Sequence, residues 1–291
     1  MTKLPLWFIF ALVAALFSGL NNFFKKVSAE NKGDSRVVAF YFNLFSTLFA
    51  FMAMLFFAHS SDFNLNKTFF IIISAVALAN VINIVFKVRG LKFLASSTMF
   101  ISLRFFMVTA LFLVEIFIFH SSFAFKDIIG IIIGFIALFF LIESDSNKKQ
   151  DFKKGFLAVG ACVVAVTVIS TLKKSVALDN YNQFVYYFFV FLFSFLMSSL
   201  INFKIIKNKS IFSNTNGAIF YPALQALMNF IGQVFGFLAL VYGANLAIYA
   251  KVSSTSLFVP IILSAIFYKE KITGKRIIAF ILAMISLMLF V

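Results

Sequence analysis

Long apolar runs follow one another along the whole chain, broken only by short polar stretches. A membrane-spanning helix needs about 20 predominantly apolar residues, within a range of roughly 17–25. On that measure the pattern predicts ten helices, at residues 5–24, 38–58, 69–86, 93–119, 128–142, 155–172, 183–203, 217–241, 245–268 and 274–291. The runs are continuous rather than alternating, which favours helices over the strands of a barrel. The first run, Leu4 to Leu20, is longer than a signal-peptide core of about 7–15 residues. No A-x-A cleavage site follows it, so it reads as a retained helix.

The pattern also states itself twice. Phe24-Lys25-Lys26-Val-Ser-Ala29 returns as Leu172-Lys173-Lys174-Ser-Val-Ala177, and the run carrying Gly130 and Gly134 returns as the one carrying Ala279 and Ala283. The offsets are 148 and 149. Five helices per half force the second copy to be inverted relative to the first. The expected fold is therefore all-α and integral to the membrane: ten helices as two inverted five-helix repeats, residues 1–145 and 146–291, in one membrane domain. Transporters built this way carry their substrate site at the repeat interface.

Polar residues recur at helical spacing within these runs. The eighth helix carries Gln225, Asn229 and Gln233 at i, i+4 and i+8, and the third carries Asn80, Asn83 and Lys87. Residues so spaced share a helix face. The fourth carries Ser97, Arg104 and Glu115; the ninth Lys251, Ser254 and Thr255; the first Asn21 and Asn22; the second Asn43. Single amides and hydroxyls glue helices together at about 0.6 kcal/mol per bond, whereas three amides in one stripe read as the lining of a cavity. A charge near the bilayer centre costs roughly 3 kcal/mol or more. Arg104 and Lys251 are accordingly expected to face a polar cavity, one from each half.

Arginine forks two hydrogen bonds onto a carboxylate or phosphate, and lysine supplies a compact charge. The candidate substrate ligands are these two cations with the amides of the third and eighth helices, Asn22, Ser97 and Thr255. Glu115 is expected to pair with Lys87 or Arg89 near one membrane face, or to act as a protonatable coupling group. Tyr186, Tyr187, Tyr221 and Tyr249 could add hydroxyls.

Composition narrows the classes. The chain is 63% hydrophobic and 12% charged, with a mean hydropathy of +1.04. Soluble domains carry about 25% charged residues. The net charge of +15 lies mostly in short loops, where it serves orientation and lipid headgroups rather than nucleic acid. The loops after the odd helices hold 18 Lys and Arg and the opposite side 5, which puts the odd loops in the cytoplasm and both termini outside. The single Cys162 excludes an intrachain disulfide and a cysteine metal site. His59 and His120 have no partners at ligand spacing, and no GxxxxGK[ST] motif appears. No cofactor, metal or enzymatic activity is expected.

The stretch Tyr242-Gly243 through Lys251 and Pro260 to Tyr268-Lys-Glu270 resembles the ninth-helix region of the drug/metabolite transporter superfamily, in its EamA-like ten-helix branch. The first half departs from the pattern: His120 or a neighbour stands where the glutamate would be, and no proline matches Pro260. The resemblance implies a secondary carrier working by alternating access, with termini inside, opposite to the charge count. The superfamily moves amino acids, nucleotide sugars, sugar phosphates, vitamins, choline and drugs, and its organic-phosphate carriers place basic residues in the fourth and ninth helices comparably. The expected partners are a small polar metabolite, anionic or zwitterionic, and membrane lipid. Gly130/Gly134 and Ala279/Ala283 offer small-residue faces for a homodimer through helices 5 and 10. The Phe, Ile, Lys and Asn load hints at AT-rich coding, and a bacterial inner membrane is the expected location. The alternatives are a drug exporter or lipid-carrier flippase of the same fold, and a channel.

Overall fold

A computed structural model describes residues 6–30, 34–118, 125–143, 151–178, 181–203, 219–242, 249, 252–253, 255–269 and 273–289. These fold as helices α1 (Leu6–Glu30), α2 (Ser35–Phe57), α3 (Lys67–Phe93), α4 (Ser96–Phe117), α5 (Phe125–Glu143), α6 (Phe152–Leu178), α7 (Gln183–Ile201), α8 (Phe220–Val241), α9 (Phe258–Tyr268) and α10 (Gly274–Leu289). Among the described residues there is no strand. Six helices, α1, α2, α3, α6, α7 and α8, are long and apolar enough to cross a membrane by length and composition, the architecture of a multi-pass membrane protein.

Side-chain caps set several of the starts. Asp34 accepts from the Arg36 amide at the head of α2, Asn66 from Phe69 in α3, and Asn182 from Phe184 in α7. Each satisfies an amide that the first helical turn leaves without a partner. Large apolar side chains such as Phe56, Phe117, Leu200 and Phe267 stand outward, as lipid-facing positions do.

Three helices outrun their apolar stretches. α1 continues to Glu30, α3 to Phe93 and α6 to Leu178, so Lys25, Lys26 and Lys173 are helical and buried rather than loop residues, and Lys87, counted with a loop for charge, belongs to the α3 stripe on which its spacing puts it. The apolar run underestimates a helix whose polar turn packs inward. Moving these four out of the loop count leaves the sign of the charge bias unchanged. Pro260 falls in the first turn of α9, directly after a 3-10 turn at Thr255–Leu257. Proline is tolerated there because its missing N–H has no helical acceptor, so the ninth apolar run is interrupted ahead of the proline.

The helices interleave across the two halves of the chain. α1 packs chiefly on α8, α2 on α7, α3 on α6, α4 on α6 and α5 on α10. α1 and α8 run antiparallel: Gln225 reaches the Phe24 carbonyl and Ser28, Asn229 meets Asn21, and Gly232 abuts Ala14 and Phe17. α3 and α6 are antiparallel as well, with Cys162 against Asn83 and Ala158 against Gly90. The small-residue faces of α5 and α10 meet inside one chain, where Ser286 donates to the Gly130 carbonyl at 2.6 Å. Ala279 and Ala283 are buried there with Phe105 and Ala137.

Candidate functional site

Between α1, α3, α4, α6 and α8 lies a cavity of about 210 Å³. Four cations line it: Lys25 from α1, Lys87 from α3, Arg104 from α4 and Lys173 from α6. Among the described lining residues there is no carboxylate. The three lysines are 3%, 8% and 8% exposed, so their charge is withheld from bulk solvent.

Arg104 is held by the segment leading into α9. Its guanidinium donates to Ser253 Oγ at 3.2 Å and Ser256 Oγ at 2.8 Å. Arg104 and Ser253 stand 149 positions apart, the offset that relates Gly130 to Ala279. Among the described residues two hydroxyls meet a group with five N–H donors, which leaves donors for a ligand. Tyr249 also lines the cavity. Lys173 donates to Gln233 Oε1 at 3.1 Å and lies over the Tyr187 ring. The Tyr187 hydroxyl donates to the Gln233 carbonyl at 3.0 Å. Lys25 has the Phe42 ring 5.4 Å away. Lys87 lies within electrostatic reach of both Lys25 and Arg104.

Neutral amides fill the waist. Asn21 donates to Asn229 at 3.1 Å, clasping α1 to α8. Asn80 donates to Asn43 and to Ser194, each at 3.2 Å. Among the described residues the buried Asn83 side-chain oxygen has no hydrogen-bond donor, so it can accept from a hydroxyl or N–H of a ligand. Asn22 lines the wall as expected.

The expected site residues therefore separate. Arg104, Asn80, Asn83, Asn229, Gln233, Asn22 and Lys87 share the cavity wall. Gln225 does not; fully buried, it binds the Phe24 carbonyl and Ser28, and so acts as glue between α8 and α1. Thr255 caps back onto the Val252 carbonyl at 2.7 Å. Lys251, and the side chains of Ser97 and Glu115, lie outside the described residues. The pattern of amides missed Lys25 and Lys173, which had been assigned to loops. For Lys25 the signal is present: Ser18, Asn22 and Lys25 fall at i, i+4 and i+7, one helix face.

No family model matches the chain, and no curated protein matches it. A solved structure described only as "Crystal structure of protein" superposes over 97% of this chain and 95% of its own, with a TM-score of 0.68 and 13% sequence identity. At that identity the likeness is one of fold. It extends across the chain rather than over a fragment.

Proposed function

We propose that this chain is a ten-helix secondary carrier, two inverted five-helix repeats around the cavity, moving a small organic anion by alternating access. The observation that carries the reading is four cations on one cavity wall with no described carboxylate beside them. Buried positive charge of this kind is costly in a membrane, and it marks a path or a site for a counter-charge. A zwitterion suits the wall less well than an anion, because its ammonium would meet neutral acceptors such as the Asn83 oxygen but no described carboxylate.

The inverted arrangement draws support from the packing. Exchanging α1 with α6 and α3 with α8 turns the α1–α8 pair into the α6–α3 pair, while α2–α7 and α5–α10 map onto themselves. The resemblance to EamA-like members of the drug/metabolite transporter superfamily points the same way. The moving bodies then combine helices of both halves, because the closest packing crosses between them.

The test is uptake into vesicles holding the purified protein, alongside thermal unfolding against a panel of anions, zwitterions, cations and neutral drugs. A ligand at 100 times its dissociation constant stabilises by about 2.7 kcal/mol. Small organic anions are expected to stabilise the protein and to show saturable uptake. Arg104→Gln should weaken their binding roughly 10- to 100-fold, the worth of a charge-assisted hydrogen bond. Arg104→Lys should not restore it, since lysine lacks the fork. Stabilisation by cations or amphiphiles alone, indifferent to Arg104→Gln, would sink the anion reading and favour a drug or lipid exporter. Unsaturable conductance would favour a channel.

A further inference from the structure

Lys25 and Lys173 are the two cavity lysines of the repeated Lys-Lys step, 148 positions apart. In the first copy the second lysine turns elsewhere: Lys26 pairs with Glu30 at 2.6 Å. Both cavity lysines are deeply buried, yet they stand at different levels of the cavity, and the contacts of α1, α6 and α8 fix those levels. Lys25 follows Phe24, whose carbonyl receives Gln225. Lys173 donates to Gln233, two turns further along the same helix. At 1.5 Å per residue these two levels of α8, the one beside the Lys25 backbone and the one that meets the Lys173 ammonium, lie roughly 12 Å apart. The Asn21–Asn229 clasp lies midway, and Arg104 reaches this interval through Ser256, whose carbonyl abuts Gly19.

We propose that the cavity takes a two-ended anion, one negatively charged group held at the Lys25 end with Lys87 nearby, the other at Lys173 and Gln233. This rests on the anion-carrier reading and sharpens it to a substrate class. Each end would hold an oxyanion by charge-assisted contact with an ammonium, so the two levels suit a ligand that carries two acids on a short linker, such as a dicarboxylate or a carboxylate bearing a terminal phosphorus acid. Hydroxyls on the linking carbons would meet the amides of the waist. A compact anion reaches one end only and leaves the other cation without a counter-charge.

The experiment measures the affinity of the full-length detergent-solubilised protein for succinate, glutarate and 3-phosphonopropionate against butyrate, valerate and inorganic phosphate. The two-ended probes are expected to bind about tenfold or more tightly than the one-ended ones. The tighter of succinate and phosphonopropionate identifies the end group. Lys25→Gln and Lys173→Gln should each bring succinate down to the affinity of butyrate. The wild-type comparison needs no variant to fold, so it decides alone if either substitution fails to give protein. Equal affinity for succinate and butyrate overturns the two-ended site while leaving the anion carrier standing. Equal loss of both probes in Lys25→Gln with no loss in Lys173→Gln overturns it too. Binding of none of these anions, with cations or amphiphiles binding instead, overturns both readings.

Discussion

Neighbouring lysines at the end of α1 do different work because a helix turns 100° per residue. Lys25 faces the cavity while Lys26 meets Glu30 one turn on. Sequence alone sees two adjacent charges and assigns both to a loop; the faces separate only once the helix is known to continue. Just beyond, at the head of α2, partial burial works to raise the carboxyl of Asp34. The hydrogen bonds and charge of Arg36 outweigh that and hold it below the usual carboxylate range. Its folded value being depressed, the stabilisation it gives is complete above the unfolded value of about 3.9 and disappears as pH falls through the folded one. Asp34→Ala should therefore lower stability by about 1 kcal/mol at neutral pH, a typical N-cap loss. The difference between variant and wild type should shrink in thermal unfolding at the lowest pH the protein tolerates.

Where helices approach closely, the element is governed by its smallest residues. A Cβ at Gly19 would sit 2.7 Å from the Val259 Cβ and 2.8 Å from the Ser256 carbonyl oxygen, whereas at Gly160 it meets nothing within 4 Å. Gly19→Ala should force α1 away from α9 and cost roughly 1–3 kcal/mol, read as a lowered unfolding temperature. Gly160→Ala, on an open helix face, should leave that temperature unchanged or raise it. The contrast is invisible in sequence, where both are single glycines in apolar runs. The apolar pattern was enough to locate each described helix, but it cut α1, α3 and α6 short at their polar turns. Amide stripes were legible as stripes: Asn80, Asn83, Asn229 and Gln233 do face one cavity. Gln225 shows the limit, because spacing puts it on the same stripe while only its neighbours, Ser28 and the Phe24 carbonyl, reveal a packing role.

Across the whole molecule, every helix of the first half packs chiefly on a helix of the second. The buried hydrogen bonds follow suit: Asn43 to Ser198, Asn80 to Ser194, Asn21 to Asn229 and Arg104 to Ser253. Residues 1–145 expressed alone should therefore insert as helices without acquiring a cooperative unfolding transition. Co-expression with residues 146–291 should restore the transition together with ligand binding. A stable, cooperatively folded first half would refute that dependence. The timing of synthesis follows from the same interleaving. As the chain emerges from the ribosome, α1 waits in the bilayer until α8 arrives, with Asn21, Ser28 and the Phe24 carbonyl lacking their final partners. For that interval the lipid–water boundary and the insertion machinery must shelter the polar turn of α1. A nascent chain stalled before α8 should accordingly be a ready target for membrane quality-control proteases.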